Sequence, residues 1–517
     1  MKTRGKILWV DDEIEHLKPH ILFLEEKGFE IETASNGIDG LNLAKNRDIQ
    51  LALIDQYMPG MDGIDTLREL KQIDSALPVI MVTKSEEETL MNEAISEKVI
   101  QFLIKPVNPS QVFMAIKQVL ESGQIQEEKT TRDFLKEYQD ISKKKKDHFT
   151  VEEWWDLYKQ LVNWQLELDG HNEPGLQSIL EEEIQSCNRE FSRFIEGVYS
   201  GWVKSDNRPP MSVDVVERFV SPELGMGRKI CFLVMDCLRY DQLMAMLPTL
   251  SSYFNVDVHF HVSILPTATP YSRNALFSGL YFDDLIKKYP KQLAAMKFGD
   301  FGLNQYEETY LRHLLDRNNL NHIGVHYHKI WSAEHGIKFQ HRVGEFSNID
   351  LLAVVVNFVD QLTHNQSESS VLKEMVGDES AFCRAVVSWF NNSWLLDVLK
   401  YLGENGYRII LTSDHGSICV HKGVMVKADR DTSTGVRYKM GRNLNCDEKF
   451  SVKVRKPSEY KLPEMGHQST YLFARDSTYF LYPNQMKRYK NTFKDSFQHG
   501  GISMEEMLVP VAVLEGK

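Results

Sequence analysis

The sequence predicts an α/β protein with two parallel sheets and a helical segment between them. Short apolar runs alternate with helical patterns in residues 1–123, and apolar strands that end in polar residues recur in residues 218–517. Residues 124–217 are instead rich in Glu, Lys, Gln and Leu. Strands that alternate with helices are typical of parallel sheets. The chain has 517 residues, which is room for about three domains.

The first segment, residues 1–123, has five candidate strands. Helical patterns separate them, for example Gly63–Gln72 and Pro109–Glu121. This alternation predicts a doubly wound sheet. The strands are expected at Ile7–Val10, Glu30–Ala34, Leu51–Ile54, Pro78–Val82 and Gln101–Ile104.

The second segment, residues 124–217, has the periodicity of helices. Aromatic and aliphatic residues recur at helical spacing in Phe149–Leu168 and again in Leu176–Val198. Such stripes form the buried faces of packed helices. We predict a small helical bundle that acts as a spacer.

The third segment, residues 218–517, is again α/β. Apolar strands are expected at Lys229–Met235, Leu351–Val359, Tyr407–Thr412, Thr470–Ala474 and Leu508–Leu514. The first and third of these end directly before polar residues, so the carboxyl edge of the sheet is the expected place for a ligand.

Bulk composition narrows the functional classes. The net charge of −13 argues against nonspecific duplex binding through a basic surface. No apolar run approaches the roughly 18 residues that span a bilayer. The six cysteines form no CxxC pair, which is typical of reduced thiols. We therefore expect a cytoplasmic protein.

Polar side chains follow the predicted strands of the first segment. Asp11 and Asp12 follow the first strand, Asp55 the third, Thr83 the fourth and Lys105 the fifth. Groups at the carboxyl ends of parallel strands can meet at one edge of the sheet. A carboxylate cluster binds Mg²⁺, which prefers oxygen ligands, and a lysine ammonium holds phosphate oxygens.

These residues, with DQYMPGMDG around the acidic position, resemble the response-regulator receiver family. The resemblance implies a flavodoxin-like fold, Asp55 as the phosphorylated residue and a cognate histidine kinase as phosphodonor. It also implies a Mg²⁺ site, whose ligands on this sequence are Asp11, Asp12, Asp55 and the carbonyl of Tyr57. It further implies a conformational switch, which corresponds to Thr83, Phe102 and Lys105.

A second set of polar residues lies in the third segment. Asp236 follows one apolar strand, and Asp414 and His415 follow another. Asp360 and His364 are four residues apart, which places them on one side of a helical turn. Mixed Asp and His ligands suit Zn²⁺. No cysteine is placed to join them, which favours a catalytic site over a structural one.

These motifs resemble the alkaline phosphatase superfamily, specifically its PglZ-type branch. The resemblance rests on VMDCLRYD, LPTATPYSRNALFSG, VDQLTH, TSDHG and QHGGISMEEMLVP. It implies two Zn²⁺ ions and a threonine nucleophile. On this sequence, one ion corresponds to Asp236, Thr269, Asp414 and His415, and the other to Asp360, His364 and His499.

Several assignments stay open at this point. Thr267 and Thr269 both stand in the TATPYSR run, and the sulfatase and phosphodiesterase patterns favour Thr269 as nucleophile. Arg273 and Asn274 are either donors to the substrate or helix caps, and His421 is a further candidate for substrate binding. His326 and His328 form either a second metal site or part of the surface. His467 has no assigned role.

We expect a phosphorylation-controlled zinc phosphodiesterase that acts on nucleotides or oligonucleotides and forms a homodimer on phosphorylation. The domain order resembles a response-regulator family linked to the type IX secretion system. That resemblance implies contact with a sigma factor and a cytoplasmic component of the secretion machinery. The alternative is a signalling adaptor with a non-catalytic metal site. A DNA-binding regulator is a third reading, against which the acidic charge and the lack of a helix-turn-helix count.

Overall fold

A computed structural model describes residues 4–84, 99–144, 146–169, 174–293, 304–428, 433, 435–464, 469–482 and 486–517. The chain divides into two compact units, Met1–Glu137 and Tyr138–Lys517. The helices of the central segment after residue 138 belong to the second unit. The three-part division into residues 1–123, 124–217 and 218–517 stays a prediction.

The first unit has a five-stranded sheet in the order β2-β1-β3-β4-β5, and every neighbouring pair is parallel. Each strand is within one or two residues of its predicted bounds. The predicted doubly wound sheet is thereby confirmed. Its strands are β1 Gly5–Val10, β2 Phe29–Ala34, β3 Leu51–Asp55, β4 Val79–Thr83 and β5 Gln101–Ile104.

Apolar side chains cover both faces of this sheet. Ile7, Trp9 and Leu53 face one cluster of buried residues, and Leu8 and Ile54 face the other. Residues that alternate along a strand point to opposite faces, so both faces need covering helices. The α-helices that the structure describes in the first unit are Lys18–Glu26, Gly37–Asn46, Gly63–Ile73 and most of Pro109–Lys143, which continues into the second unit.

The central segment is helical, as its periodicity predicts. Helix Pro109–Lys143 is much longer than the predicted Pro109–Glu121, and it is followed by Val151–Asp169 and by Pro174–Trp202. We call Pro174–Trp202 the linker helix. The rings of Trp154 and Phe191 pack with centroids 5.4 Å apart, so the predicted aromatic stripes form the core between the last two helices.

The second unit has a six-stranded sheet in the order β7-β18-β10-β6-β9-β8. β10, β6, β9 and β8 are parallel, whereas β18 is antiparallel to both β10 and β7. The carboxyl ends of β6, β7, β9 and β10 and the start of β18 therefore share one edge. The strands are β6 Lys229–Met235, β7 Phe254–Val262, β8 Val325–Ile330, β9 Leu351–Val356, β10 Tyr407–Thr412 and β18 Leu508–Gly516.

Three small sheets lie beside the large one, pairing β11 with β17, β12 with β16, and β15 with both β13 and β14. Their strands are β11 Ile418–Val420, β12 Lys422–Met425, β13 Tyr438–Gly441, β14 Ser451–Val454, β15 Thr470–Ala474, β16 Thr478–Leu481 and β17 Ser496–Gln498.

Helices pack on the large sheet and connect its strands. The strand predicted at Leu351–Val359 ends earlier, at Val356, because a helix begins at Phe358. The helices of this unit after the linker helix are Ser221–Gly225, Tyr240–Ser251, Thr269–Ser278, Phe282–Lys288, Pro290–Leu293, Glu307–Arg317, Ala333–Arg342, Phe358–Glu368, Ser370–Met375, Glu379–Asn392, Trp394–Glu404, Met486–Phe493 and Met504–Met507.

The cysteines and the apolar helices bear on two further expectations from the sequence. All six cysteines are free thiols. Within the described ranges, no helix has both the length and the apolar character needed to cross a membrane.

Candidate functional site

The acidic residues of the first unit meet at the carboxyl edge of its sheet. Asp11, Asp12 and Asp55 each offer a carboxylate oxygen, and these oxygens lie within 4.8 Å of one another. Lys105 Nζ lies 2.9 Å from an oxygen of Asp11 and 2.9 Å from an oxygen of Asp55. Burial raises the pKa of Asp55, and the adjacent Lys105 opposes that rise. The cluster has the oxygen-rich character of a Mg²⁺ site.

The other predicted receiver residues lie on β4, on β5 and in the loop after β3. Thr83 is buried at the end of β4, and its carbonyl accepts a hydrogen bond from the backbone N–H of Lys105 at 2.7 Å. Phe102 is partly buried against one apolar face of the sheet. Tyr57 lies exposed in the loop after Asp55. Thr83 and Tyr57 thus lie at the carboxyl edge of the sheet, whereas Phe102 lies near the start of β5.

In the second unit, three predicted ligands converge beside β6 and β10. Asp236, Asp414 and His415 are buried, and each offers a ligand atom within 4.8 Å of the other two. One oxygen of Asp414 accepts hydrogen bonds from the backbone N–H groups of Cys237 and His415, at 3.3 and 3.1 Å. Its other oxygen is buried without a hydrogen-bond partner in the described part of the chain. Such an orphaned oxygen is expected where a cation binds.

The two candidate threonines occupy different environments. Thr269 Oγ1 lies 3.1 Å from His415 Nε2 and 3.5 Å from an oxygen of Asp236. Thr267 is fully buried instead: its hydroxyl donates to the carbonyl of Gly501 at 2.9 Å and accepts from the N–H of Gly500 at 3.1 Å. Only Thr269 therefore faces the carboxylate and imidazole group.

A second set of ligands lies next to the first. Asp360, His364 and His499 each offer an atom within 4.8 Å of the others. Asp360 and His364 are on the helix Phe358–Glu368, as the four-residue spacing predicts. The rings of His415 and His499 stack with centroids 4.3 Å apart, so the two sets adjoin.

Backbone carbonyls orient two of these imidazoles. Nδ1 of His415 lies 3.0 Å from the carbonyl oxygen of Gly416, and Nδ1 of His499 lies 3.2 Å from that of Thr267. A carbonyl can only accept, so each Nδ1 donates and Nε2 is the ring nitrogen left for the site. Burial lowers the pKa of His415 to about 4, which keeps this ring neutral.

A buried arginine contacts the first ligand set. Arg273 is 2% exposed and donates to Asp236, to Glu307 at 2.6 Å and to Asn357 at 3.2 Å. Burial raises the pKa of Asp236 well above its ordinary value, and Arg273 opposes that rise. Asp360 and Asp414 add negative charge nearby, and a bound cation would offset the mutual repulsion of the three carboxylates.

The donor set fits two metal ions. It combines three carboxylates, three imidazoles and the hydroxyl of Thr269, which are the ligand types of Zn²⁺. The two carbonyl-oriented imidazoles present Nε2 to the site, which is how metal-ligating histidines are commonly held. The structure thus holds the predicted ligands in two adjacent groups.

Other predicted residues lie elsewhere or have other partners. The guanidinium of Arg273 bonds to protein groups, and Nδ2 of Asn274 donates to the carbonyl of Pro270 at 2.8 Å within its own helix. These contacts do not favour either side chain as a direct donor to substrate. His421 is exposed, and its Nδ1 lies 2.9 Å from Asp495.

The remaining histidines do not join the two ligand sets. His326 and His328 lie on β8, and their Nε2 atoms are 2.9 Å apart. No third ligand accompanies them in the described ranges. His467 lies outside the described residues.

Sequence reasoning missed the partners that position these groups. Ser413 donates to the carbonyl of His415 at 2.7 Å, and Glu307 and Asn357 bind Arg273. Asn357 directly follows β9, but the predicted strand runs on to Val359, so this strand-end position is not visible in the sequence. Glu307 has no signal either, because it starts a helix far from the other motifs.

Comparison with known families gives three matches. Residues 215–514 match the family described as the BREX system PglZ alkaline phosphatase-like domain. The chain belongs to the PglZ alkaline phosphatase-like family. Residues 7–117 match the response regulator receiver domain, and residues 124–203 match the PorX response regulator linker domain. In this order the three matches give a PorX-like architecture, with a receiver at one end and a PglZ domain at the other.

Individual relatives match the receiver region. The transcriptional regulatory protein SrrA of Staphylococcus aureus is 33% identical over 120 residues, which are 23% of this chain and 49% of SrrA. The chain thus spans about half the length of the curated relatives it matches.

Solved structures match over the same region. A CheY-like receiver domain protein of Methanospirillum hungatei JF-1 is 29% identical and covers 24% of this chain and 98% of its own, with a TM-score of 0.23. A receiver domain protein of Clostridium thermocellum is 31% identical and covers 23% and 98%, with a TM-score of 0.22.

Proposed function

We propose that this chain is a response regulator whose phosphorylation controls a zinc-dependent phosphodiesterase that acts on nucleotides or oligonucleotides. The observation that carries the proposal is the position of Thr269, with its hydroxyl 3.1 Å from His415 Nε2 and 3.5 Å from Asp236. A hydroxyl held against a basic nitrogen and a carboxylate is a candidate nucleophile. Membership of an alkaline phosphatase-like family gives this geometry its chemical context.

In the proposed reaction, Thr269 Oγ attacks phosphorus as the bond to the leaving oxygen breaks. The hydroxyl proton passes to water, because His415 Nε2 and Asp236, which both face Oγ1, are proposed metal ligands. The leaving alkoxide takes a proton from water. A water molecule then attacks phosphorus in this Thr269-bound ester, and the bond between phosphorus and Thr269 Oγ1 breaks. Oγ1 takes up a proton from that water, and a phosphate monoester is released.

Asp236, Thr269, Asp414 and His415 would hold one Zn²⁺ ion, and Asp360, His364 and His499 would hold the other. When bound, the two ions would neutralise charge on the phosphoryl group and lower the pKa of the attacking groups. Arg273 would act as a positioning residue, because its buried ion pair holds one carboxylate oxygen of Asp236 while Thr269 contacts the other.

The first unit would supply the control. Asp55 is the proposed phosphorylated residue, with Asp11, Asp12 and the Tyr57 carbonyl as Mg²⁺ ligands. Lys105, which already contacts Asp55 at 2.9 Å, would bind the new phosphate oxygens.

The switch and the partners complete the proposal. Thr83 and Phe102 would change position on phosphorylation by a cognate histidine kinase. We further propose dimerisation on phosphorylation, contact with a sigma factor and a secretion component, and a link to type IX secretion. The match to the PorX linker domain supports these partners.

One comparison tests the enzyme proposal. The full-length protein, loaded with zinc, is assayed with bis(4-nitrophenyl) phosphate beside Thr269→Ala and Thr269→Ser. We expect alanine to reduce kcat on the order of 10³-fold or more, and serine to keep measurable turnover because it retains the hydroxyl. Zinc content, measured by mass spectrometry, shows whether each variant still holds metal.

The outcomes separate the two main functions. Two bound zinc ions with no hydrolysis by the wild type would refute the enzyme and favour the signalling adaptor. For the receiver, Asp55→Asn and the wild type are compared by gel filtration with beryllofluoride. A wild-type elution volume that does not change with beryllofluoride would contradict phosphorylation-dependent dimerisation.

A further inference from the structure

A charged cavity of about 430 Å³ lies between the linker helix and the small sheets of the second unit. Arg189 and Arg193 line it from the helix, and Lys449 and Arg475 line it from the opposite wall. None of these residues belongs to the metal-ligand sets. This cavity is separate from the site around Thr269.

Arg475 is the buried member of this group, at 8% exposure. Its Nε donates to the carbonyl of Glu448 at 3.3 Å, and its Nη2 binds Glu196. Its Nη1 is buried without a hydrogen-bond partner in the ranges that the structure describes. A buried donor without a partner destabilises a fold, so a bound acceptor would satisfy it.

Cationic side chains outnumber carboxylates in the lining of the cavity. Its lining carries four cationic side chains and three carboxylates, and Arg475 neutralises one of those carboxylates, Glu196. A fifth cation, Lys422, lies 3.9 Å from the ring of Phe450, which is part of the wall. The whole chain has a net charge of −13, so this clustering of cations is local. Guanidinium groups in such clusters recognise phosphate.

We propose that this cavity binds a small phosphate-bearing ligand of nucleotide size. The volume lies within the range of roughly 300–1,000 Å³ that is typical of small-molecule sites. Arg475, with Arg189, would hold the phosphate, and Phe450 offers an apolar wall for a base. The proposal does not depend on the phosphodiesterase activity proposed above.

The cavity is connected to a metal-ligand loop through the backbone. The N–H of Ile502 donates to the carbonyl of Ala474 at 2.9 Å, and the N–H of Asp476 donates to the carbonyl of Ile502 at 3.2 Å. Arg475 therefore lies between two residues whose backbones are hydrogen-bonded to Ile502. Ile502 itself lies three positions after His499. A ligand bound to Arg475 would therefore contact a residue whose neighbours hold the loop that carries His499.

Binding to the full-length, zinc-loaded protein tests the proposal. Isothermal titration with AMP and, separately, with inorganic phosphate is compared for the wild type, Arg475→Gln and Arg189→Ala. We expect the wild type to show a class of sites whose affinity falls about tenfold or more in both cavity variants. Arg189 is exposed, so its variant folds even if Arg475→Gln does not.

Controls assign the binding to the cavity. Arg342→Gln removes an exposed arginine that pairs with Glu345, and it should bind like the wild type. Thr269→Ala should retain the cavity class whether or not the chain is an enzyme. Tighter binding of AMP than of phosphate would identify a nucleotide, whereas equal affinities would identify phosphate alone. No binding by the wild type at millimolar ligand, or equal binding by the wild type and both cavity variants, would overturn the proposal.

Discussion

Replacing Tyr199 with phenylalanine removes one oxygen atom from the contact between the linker helix and the segment that leads to Thr269. Tyr199 is fully buried, and its hydroxyl oxygen accepts a hydrogen bond from the backbone N–H of Leu265 at 2.8 Å. Its ring stacks on Tyr460 with centroids 5.1 Å apart, and phenylalanine keeps that stack. Burial raises the pKa of Tyr199, so the group removed is a neutral hydroxyl at any practical pH.

The expected loss follows from the amide that is left behind. A buried N–H without a partner costs about 1–3 kcal/mol. If the cost falls on the local opening of this segment, the opening equilibrium rises roughly 5- to 150-fold, since about 1.4 kcal/mol corresponds to a factor of ten. Because Leu265 lies four residues before Thr269, we also expect slower phosphodiester hydrolysis.

Hydrogen exchange measures this effect directly. The peptide that contains Leu265 should exchange faster in Tyr199→Phe than in the wild type, and thermal unfolding should begin at a lower temperature. Tyr460→Phe is the matched control, because no hydrogen bond of its hydroxyl is found in the described ranges and its ring remains. Unchanged exchange of the Leu265 peptide in Tyr199→Phe would refute the reasoning.

Two further predictions concern single buried positions. Gly416→Ala should yield little folded protein, because a methyl group there would lie 2.0 Å from the backbone oxygen of Glu505. Gly197→Ala has open space around the new methyl group and should gain up to about 1 kcal/mol of helix stability. Soluble yield and thermal unfolding compare the two variants, and a stable Gly416→Ala protein would contradict the packing. Burial lowers the pKa of Lys439 from 10.5 to about 7. Between these two pH values the unfolded chain therefore binds more protons than the folded chain does. The free energy of unfolding should rise with pH in this range, by at most about 5 kcal/mol. Lys439→Met should remove this slope and the exposed Lys456→Met should keep it; equal slopes in thermal unfolding from pH 7 to 10 would count against the assignment.

Much of the fold could be predicted because strands and helices have local patterns. Lys229–Met235 and Tyr407–Thr412 have the predicted bounds, since a buried strand of a parallel sheet is a continuous apolar run. The strand predicted from Leu351 was too long, because Phe358 and Val359 are apolar but begin a helix. Apolar character alone does not distinguish a strand end from the first turn of a helix.

The candidate ligands were predictable for the same reason. Asp236 directly follows a predicted strand, and Asp414 and His415 lie two and three residues after another, so their meeting at one edge follows from parallel topology. Asp360 and His364 are four apart on a helix, so they share a face. Their roles in binding metal stay predictions until metal is measured.

The sequence by itself determined the order of the elements, the strand-end positions of the acidic and imidazole groups, and the receiver and PglZ motifs. Only the tertiary structure decided which of two neighbouring threonines faces the ligands, because Thr267 is held by Gly500 and Gly501, more than 230 residues away along the chain. Tertiary structure likewise paired Arg273 with Glu307 and Tyr199 with Leu265. These contacts depend on how distant segments pack, and no local periodicity carries that information.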